Sequence, residues 1–309
     1  MNTIAAHFYR RSILCALLVG ISASHAEADA FGSGANAFSM DFVTIGNAGN
    51  PSNLGNLGAV GYTYRMGVTE VPQISIENAA ASGLTNVTAG AWVGMQPAAN
   101  MSWYEMAAFV NWLNTSTGHQ AAYNLHFSGG NWGLTLWNSS EAWQLGGTDL
   151  YRHKDAYYFL PNPNEWYKSG YHKNDGATGN YWAYATGSDT APAPVGGGTA
   201  AGTAVYNSAA STPVGVDNAG GLSAYGTRGQ NGNVYEYLEN GAFFGSVYAI
   251  GGSWNNPATD FLNFYNLDAS SGDQSGNGFR VASIVPEPAS ALLLFSGAAA
   301  ISLLRRRSR

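Results

Sequence analysis

Cysteine is almost absent from this chain. The sequence of 309 residues has one, Cys15, and it lies in an N-terminal segment with the pattern of a removable leader. A chain without that segment forms no disulfide, even in a compartment that permits one. It also offers no cysteine nucleophile and no thiolate ligand for a soft metal ion. Stability must therefore come from a buried core, and about 255 residues are enough to form one.

Cationic side chains are scarce as well, with 13 lysines and arginines against 19 aspartates and glutamates. Six of the cations lie at the two ends of the chain, at positions 10, 11, 305, 306, 307 and 309. Without both ends, which also hold Glu27, Asp29 and Glu287, seven cations and sixteen acids remain, a net charge of −9. Because phosphate binding requires clustered lysine and arginine, we expect no nucleic acid partner.

The first 30 residues have the three parts of a secretory signal peptide. Arg10 and Arg11 precede an apolar run over 13–21, and the small-residue sequences SHA (24–26) and ADA (28–30) follow. A short basic stretch, a short apolar core and a small-x-Ala cleavage site are typical of such leaders. We therefore predict a signal peptide over residues 1–30 and export of the chain.

The C-terminal end combines a short apolar run with basic residues. The sequence ALLLFSGAAAISLL follows a Pro-Glu-Pro motif, Pro286, Glu287 and Pro288, and precedes the basic residues Arg305, Arg306 and Arg307. The run is shorter than the roughly 20 residues of a stable spanning helix. The arginines would keep its end in the cytoplasm.

Residues 285–309 resemble the PEP-CTERM sorting signal of Gram-negative bacteria, whose three parts occur here in the same order. The resemblance implies recognition by an exosortase, transient anchoring in the inner membrane, and removal of the tail. It also implies delivery to the cell surface, the outer envelope or the extracellular matrix. An ordinary C-terminal membrane anchor is the alternative.

Between these ends, residues 31–284 have the pattern of one α+β domain with much irregular structure. Ser102 and Glu105 form a capping box, which begins a helix with an apolar face of Trp103, Met106, Ala107, Val110 and Leu113. A helix is also predicted over 74–81, and strands over 42–45 and 62–66. An elaborated loop region is predicted over 115–150, and a mobile surface loop over 186–215.

Six segments in fixed order resemble the formylglycine-generating-enzyme family, also called the sulfatase-modifying factor family. They are YRMGVTEVP (64–72), NMSWYEMAAFVNWLN (100–114), LPNPNEWYKSGYH (160–172), YGTRGQNGNVYEY (225–237), GGSW (251–254) and GFRVA (278–282). The resemblance spans roughly residues 40–284. It implies an irregular α+β fold related to C-type lectins, with little regular secondary structure.

The chemistry of the family depends on residues that this chain lacks. Its best-known members oxidise a sulfatase cysteine to formylglycine, using molecular oxygen and copper held by two cysteines between the GGSW and GFR motifs. The matching interval here contains no cysteine, and Cu(I) prefers thiolate or thioether ligands. We therefore expect neither copper nor formylglycine-generating activity. Because the resemblance is to a family of oxidases whose catalytic cysteines are absent here, the question of whether the chain is an enzyme stays open.

The resemblance leaves two functions. The first is a binding or structural module for extracellular polysaccharide or a surface protein, with a ligand groove lined by Trp254, Asn255, Asn256, Asp260 and Tyr265. The second is an oxidoreductase of the wider family of non-haem iron enzymes, with a metal site built without cysteine. Iron is not excluded, and the histidines available for it are His119, His126, His153 and His172.

Calcium is the remaining cofactor that the resemblance implies. Family members bind it around the motif that reads GNVYEY here, which places it at Gly232, Val234 and Glu236. Oxygen ligands suit calcium, but Gly229 stands where the family has Asp or Asn. The alternative is that Glu236 accepts backbone donors. Arg280, in the GFR motif, is predicted to form a buried fork to a carboxylate or to carbonyl groups.

Overall fold

The computed structural model describes residues 26–88, 90–240, 245–270 and 275–285. Its elements, in chain order, are β1 (Glu27–Phe31), β2 (Phe38–Ile45), β3 (Tyr64–Gly67), α1 (Gln73–Ala81), α2 (Trp103–Ser116), β4 (Asn124–Ser128), β5 (Asn131–Thr135), β6 (Ala142–Trp143), β7 (Asp149–His153), β8 (Tyr158–Phe159), α3 (Pro163–Tyr171), β9 (Ala193–Pro194), β10 (Thr203–Ala204), β11 (Tyr235–Tyr237), β12 (Ser246–Ile250), β13 (Tyr265–Asp268), β14 (Asn277–Gly278) and β15 (Ala282–Ile284). Short 3₁₀ helices lie at Gly34–Asn36, Val216–Asn218 and Ala258–Asp260.

Two sheets organise these elements. An antiparallel sheet in the order β1-β2-β3-β15-β8 joins the first described strand to the last. A second sheet, in the order β13-β12-β11-β14, is mixed, because β11 and β14 run parallel. The few helices and the many short strands place the chain in the α+β class.

Local sequence signals explain the helices. Ser102 and Glu105 form the predicted capping box at the start of α2, and the apolar side of this helix is buried in the main core. The predicted second helix is also confirmed, as α1. The helix α3 begins with another capping box, Asn162 with Glu165, and has Pro163 in its first turn. This signal is local, within residues 162–165.

The first sheet begins four residues before the predicted domain start at residue 31, because β1 covers Glu27–Phe31. Arg65 on β3 has a side chain only 1% exposed, and its Nη2 lies 2.5 Å from Asp29 Oδ2 on β1. A second bond joins Arg65 Nη1 to Asp29 Oδ1 at 3.1 Å. The strand β1 therefore supplies the counter-charge of a buried arginine.

Both predicted loop regions contain regular structure. Residues 115–150 include the hairpin of β4 and β5 and the strand β6, which pairs with β7. Within 186–215, the strands β9 and β10 form a short parallel pair, and residues 204–206 are buried. The expectation of a surface loop is wrong for these three residues, because their apolar side chains pack inward.

The predicted signal peptide up to residue 25, and the sorting residues Pro286, Glu287, Pro288, Arg305, Arg306 and Arg307, lie outside the described residues. Within the ranges that the structure covers, no helix has the length and apolar character needed to span a membrane.

Candidate functional site

The five residues predicted to line a groove lie on the loop after β12 and at the start of β13. The loop turns at Gly251 and Gly252, whose φ angles are +112° and +75°. A Cβ atom on Gly252 would lie 3.0 Å from Phe261 Cδ1, and one on Gly251 would lie 3.3 Å from a ring carbon of Trp166. Glycine at both positions therefore allows the loop to fold back against the core.

Hydrogen bonds link the polar members of the predicted set. The Ser253 hydroxyl lies 2.7 Å from Asn255 Oδ1 and also contacts Asn256 Oδ1. Asn256 Nδ2 donates to Asp260 Oδ2 at 3.0 Å. Asn263 Nδ2 donates to the other oxygen of Asp260 at 3.2 Å. The carboxylate of Asp260 is thus oriented by two amide groups and remains half-buried.

Tyr235 on β11 connects this polar group to Tyr265. Its hydroxyl donates to Asp260 Oδ2 at 3.4 Å, and its ring meets the Tyr265 ring edge-on with centroids 4.9 Å apart. Burial, followed by hydrogen bonding to Tyr265, raises the pKa of Tyr235 above its ordinary value. The hydroxyl is therefore a protonated donor at neutral pH.

Trp254 forms an aromatic pair beside these residues. Its ring meets Trp92 edge-on at a centroid distance of 5.6 Å, and Trp92 Nε1 donates to the carbonyl of Ser275 at 2.8 Å. Both indole rings are half-buried. We call the combined set the Trp254 surface: Trp92, Tyr235, Trp254, Asn255, Asn256, Asp260 and Tyr265.

Two members of this surface were missed by sequence reasoning. Tyr235 stands in the GNVYEY segment next to Glu236, and strand alternation sends neighbouring side chains to opposite faces. That signal could have predicted that the Tyr235 side chain lies on the other face of the strand from the buried Glu236. Trp92 lies more than 160 positions from Trp254 in the sequence, and only tertiary structure brings the two rings together.

Of the three residues predicted for calcium, Glu236 has its carboxylate occupied. Trp166 Nε1 donates to Oε2 of Glu236 at 2.7 Å. Arg280 binds both oxygens, through Nε to Oε2 and through Nη2 to Oε1, and all three side chains are fully buried. Gly232 and Val234 lie on the approach to β11, where the Gly232 amide donates to the Gly251 carbonyl at 2.8 Å. Calcium at this motif stays a prediction.

The buried fork predicted for Arg280 is confirmed. Besides Glu236, the guanidinium donates to the carbonyl of Gly67 at 3.0 Å and to that of Arg228 at 2.8 Å. One side chain thus ties β11, β3 and the loop before β11 together. A buried cation with several acceptors is the arrangement in which arginine is preferred to lysine.

Glu70, which sequence reasoning did not single out, lies beside this ion pair. It is 1% exposed, and its Oε1 accepts from Asn233 Nδ2 at 3.1 Å. Its Oε2 has no partner within the described part of the chain. Burial and then the charge of Glu236 raise the pKa of Glu70 to about 7, against the lowering effect of Arg280.

Glu70 also explains why position 229 is glycine. A Cβ atom on Gly229 would lie 2.6 Å from both carboxylate oxygens of Glu70, and the φ angle there is +85°. The space of the Asp or Asn that the resemblance implies at position 229 is therefore taken by a carboxylate from another segment.

The four histidines occupy separate surroundings. His119 stacks on Tyr157 at a centroid distance of 4.4 Å. His172 is fully buried, and the ring nitrogens contact the carbonyl of Thr178 and the amide of Asn174. His126 lies on β4, and His153 packs edge-on against Trp137. Across the residues that the structure covers, no group of three or more His, Cys, Asp or Glu side chains is arranged to hold a metal ion.

Comparison with known proteins supports the fold. No family model matches the sequence, and no match is found among curated proteins. The solved structure of CarF is similar to this chain with a TM-score of 0.56 and 20% identity, covering 80% of this chain and 98% of CarF. Treponema denticola variable protein 1 is similar with a TM-score of 0.54 and 20% identity, covering 84% of this chain and 99% of that protein.

A third solved structure, PvdO from Pseudomonas aeruginosa, has a TM-score of 0.49 and 14% identity, covering 83% of this chain and 98% of PvdO. CarF is a protein of the formylglycine-generating-enzyme-like fold. This chain therefore has the α+β fold of CarF.

Proposed function

We propose that this chain is an exported binding module that uses the Trp254 surface to hold extracellular polysaccharide at the cell surface or in the matrix. The observation that carries the proposal is the linked set of amide, carboxylate and phenol groups beside the half-buried aromatic pair of Trp92 and Trp254. Amides and carboxylates are donors and acceptors for hydroxyl groups. Aromatic faces supply apolar contact area at low entropic cost.

The surface is built so that its polar groups keep fixed directions. Asp260 is oriented by Asn256 and Asn263, and Tyr235 donates to the same carboxylate. Tyr265 is 41% exposed, and Leu262 beside it is 40% exposed. Preorganised polar groups next to accessible apolar area are typical of ligand sites.

The proposal includes no formylglycine chemistry. Between Gly251 and Arg280 the chain has no cysteine, so it has no thiolate there to hold copper as the family does. The proposed route to the surface is the one that the ends of the sequence predict: export, transient inner-membrane anchoring, and processing by an exosortase.

For calcium, the free oxygen of Glu70 is a buried anionic ligand that fits, and the proposal adds the carbonyl oxygens of Gly232 and Val234 that the resemblance implies. Glu236 does not fit as a primary ligand, because Arg280 and Trp166 already occupy its oxygens. When bound, calcium would supply charge balance for the buried carboxylates. This cofactor assignment is part of the proposal.

The test is binding of the full-length protein to immobilised matrix polysaccharide from the producing bacterium. Trp254→Ala should weaken binding by about tenfold or more, which is the scale of a lost aromatic anchor. Trp132→Ala is the matched control, because Trp132 is also half-buried, lies on β5, and contacts Phe127 edge-on.

Two outcomes would contradict the proposal. In the first, Trp254→Ala binds the polysaccharide as tightly as the wild-type chain, or the wild-type chain does not bind it. In the second, the purified protein contains stoichiometric iron or copper by elemental analysis. That second result would favour the oxidoreductase alternative. A surface protein as ligand would appear as binding to whole envelopes that protease treatment removes.

A further inference from the structure

A concave site lies away from the Trp254 surface, between the loop before β3, the strands β6 and β7, and the start of α3. Its volume is about 410 Å³, within the range of roughly 300–1,000 Å³ that small-molecule sites occupy. We call it the Tyr62 pocket. Its lining includes Tyr62, Trp143, Asp149, Asn162, Asn164 and Asn240.

The apolar wall of this pocket is held rigidly. The Tyr62 hydroxyl donates to Glu165 Oε1 at 2.5 Å, and its ring meets the Trp143 ring edge-on at 5.9 Å. Gly146 crosses directly over Tyr62: a Cβ atom there would lie 2.8 Å from Tyr62 Cε1, and the φ angle is +74°. Leu145, on the same loop, is 53% exposed. The wall therefore presents a fixed aromatic and aliphatic face.

The polar side of the pocket has side-chain amide donors whose orientation is fixed by backbone amides that bond to their oxygen atoms. Asn162 Oδ1 accepts from the amides of Asn164 and Glu165 at 3.0 Å each, as the cap of α3. Asn164 Oδ1 accepts from the amide of Gly58 at 3.0 Å. Because each oxygen faces its backbone donors, each Nδ2 is left as a donor without a partner among the described residues. Asn240 adds a further half-buried amide.

The charge at the base of the pocket is negative. Arg152 is fully buried and forks to both Glu165 and Glu239 at 2.8–3.0 Å. Burial raises the pKa of Glu239 well above its ordinary value against the effect of Arg152, and Asp149 adds to the rise. Asp149 lines the pocket directly, and none of the described residues that line it is cationic. Arg152 pairs with Glu165 and Glu239, and Asp149 adds a further carboxyl group at the wall of the pocket, which disfavours an anionic ligand.

We propose that the Tyr62 pocket is a binding site for a neutral saccharide unit. The amides of Asn162, Asn164 and Asn240 donate to its hydroxyl oxygens, the Asp149 carboxylate accepts from its hydroxyl groups, and the C–H faces of the ring pack on Tyr62 and Leu145. Donors and acceptors at fixed positions beside an apolar wall match a ligand that carries many hydroxyl groups and no charge. The site is separate from the Trp254 surface and does not depend on it.

The test is a microarray of neutral and acidic oligosaccharides probed with the full-length protein, followed by calorimetric titration of the neutral sugars that bind. Asn164→Asp keeps the oxygen that accepts from Gly58 and removes the amide donor. It also places an acid in the first turn of α3, where the helix dipole favours it. We expect roughly a tenfold loss of affinity with an unchanged melting temperature.

Asn131→Asp is the control for the added charge, because Asn131 is exposed on β5 outside the pocket. Asp149→Asn, which keeps the oxygen that accepts from the Tyr151 amide, should also weaken binding, and Asn131→Asp should not. A preference for acidic sugars, no binding of neutral sugars, or equal affinity of the wild type and Asn164→Asp would overturn the inference. Sugar binding that Trp254→Ala removes and Asn164→Asp leaves intact would overturn it while supporting the proposed function.

Discussion

Replacing Glu70 by glutamine tests how the buried charges around β11 are balanced. Glu70 is 1% exposed and faces one anion, Glu236, and one cation, Arg280, which is already paired with Glu236. Ionising Glu70 therefore adds a buried negative charge without a counter-charge of its own. Glutamine has nearly the shape of the protonated acid, so it can keep the contact with Asn233 while removing the titration.

The magnitude follows from the pKa. Glu70 has a folded-state pKa of about 7 against an ordinary value of 4.5, and one pKa unit corresponds to about 1.4 kcal/mol. Because the folded pKa lies above the unfolded one, the stability linked to the proton is fully present below pH 4.5 and is lost as pH rises through about 7. Above pH 8 the wild-type chain should therefore have lost about 3 kcal/mol that Glu70→Gln retains.

The assay is urea unfolding in chelator at pH 4.5 and pH 8.5. We expect Glu70→Gln and the wild type to have similar free energies of unfolding at pH 4.5, and the variant to be more stable at pH 8.5. Glu77→Gln is the control, since Glu77 is exposed on α1 and should change neither value by more than about 0.5 kcal/mol. A variant that is no more stable than the wild type at pH 8.5 would refute the charge-balance reasoning.

Three further predictions follow from the same contacts. In chelator-free buffer at pH 8, calcium should raise the melting temperature of the wild type and not that of Glu70→Gln; equal shifts would rule Glu70 out as a ligand. Arg280→Lys should lower the free energy of unfolding by about 2–3 kcal/mol, because lysine keeps the charge but loses the fork to a buried carboxylate; urea titration checks this, and a change below about 1 kcal/mol would contradict it. If the chain is exported as proposed, mass spectrometry should find an N terminus at Glu27, because cleavage four residues later removes Asp29 and leaves the buried Arg65 without its counter-charge; a terminus at Phe31 would be the contrary result.

Signals between neighbouring residues predicted the elements that form through contacts between neighbouring residues, such as the helix α2. The helix α2 was predicted because Ser102 and Glu105 satisfy each other's backbone groups and the apolar residues after them recur on one face. The fork of Arg280 was predicted from a resemblance between motifs, and the structure confirms it. The strand β1 was not predicted, because its composition also fits the end of a leader, and only its pairing with β2 identifies it.

The Trp254 surface shows where local prediction ends. Asn255, Asn256 and Asp260 follow one another within a single loop, so one short segment was enough to name them together. Tyr235 and Trp92 reach the same surface from a different strand and from the segment after α1. Their positions depend on the pairing of β11 with β12 and on the contacts of Trp92 with Ser275 and Trp254, which no short segment encodes.

The sequence by itself determined which chemistry the chain lacks and where several elements form. The lack of cysteine outside the predicted leader, the acidic balance and the capping box of α2 are properties of composition and of neighbouring residues. Only the tertiary structure determines which buried charged groups pair with each other and which segments line a cavity. It brings the carboxylate of Glu70 next to Gly229 and pairs Glu236 with Arg280. It also forms the Tyr62 pocket from segments as far apart in the sequence as Gly61 and Asn240. A buried polar group must be paired with a group that lies close to it in space, because it has no access to water. Which groups lie close together depends on the packing of the whole core.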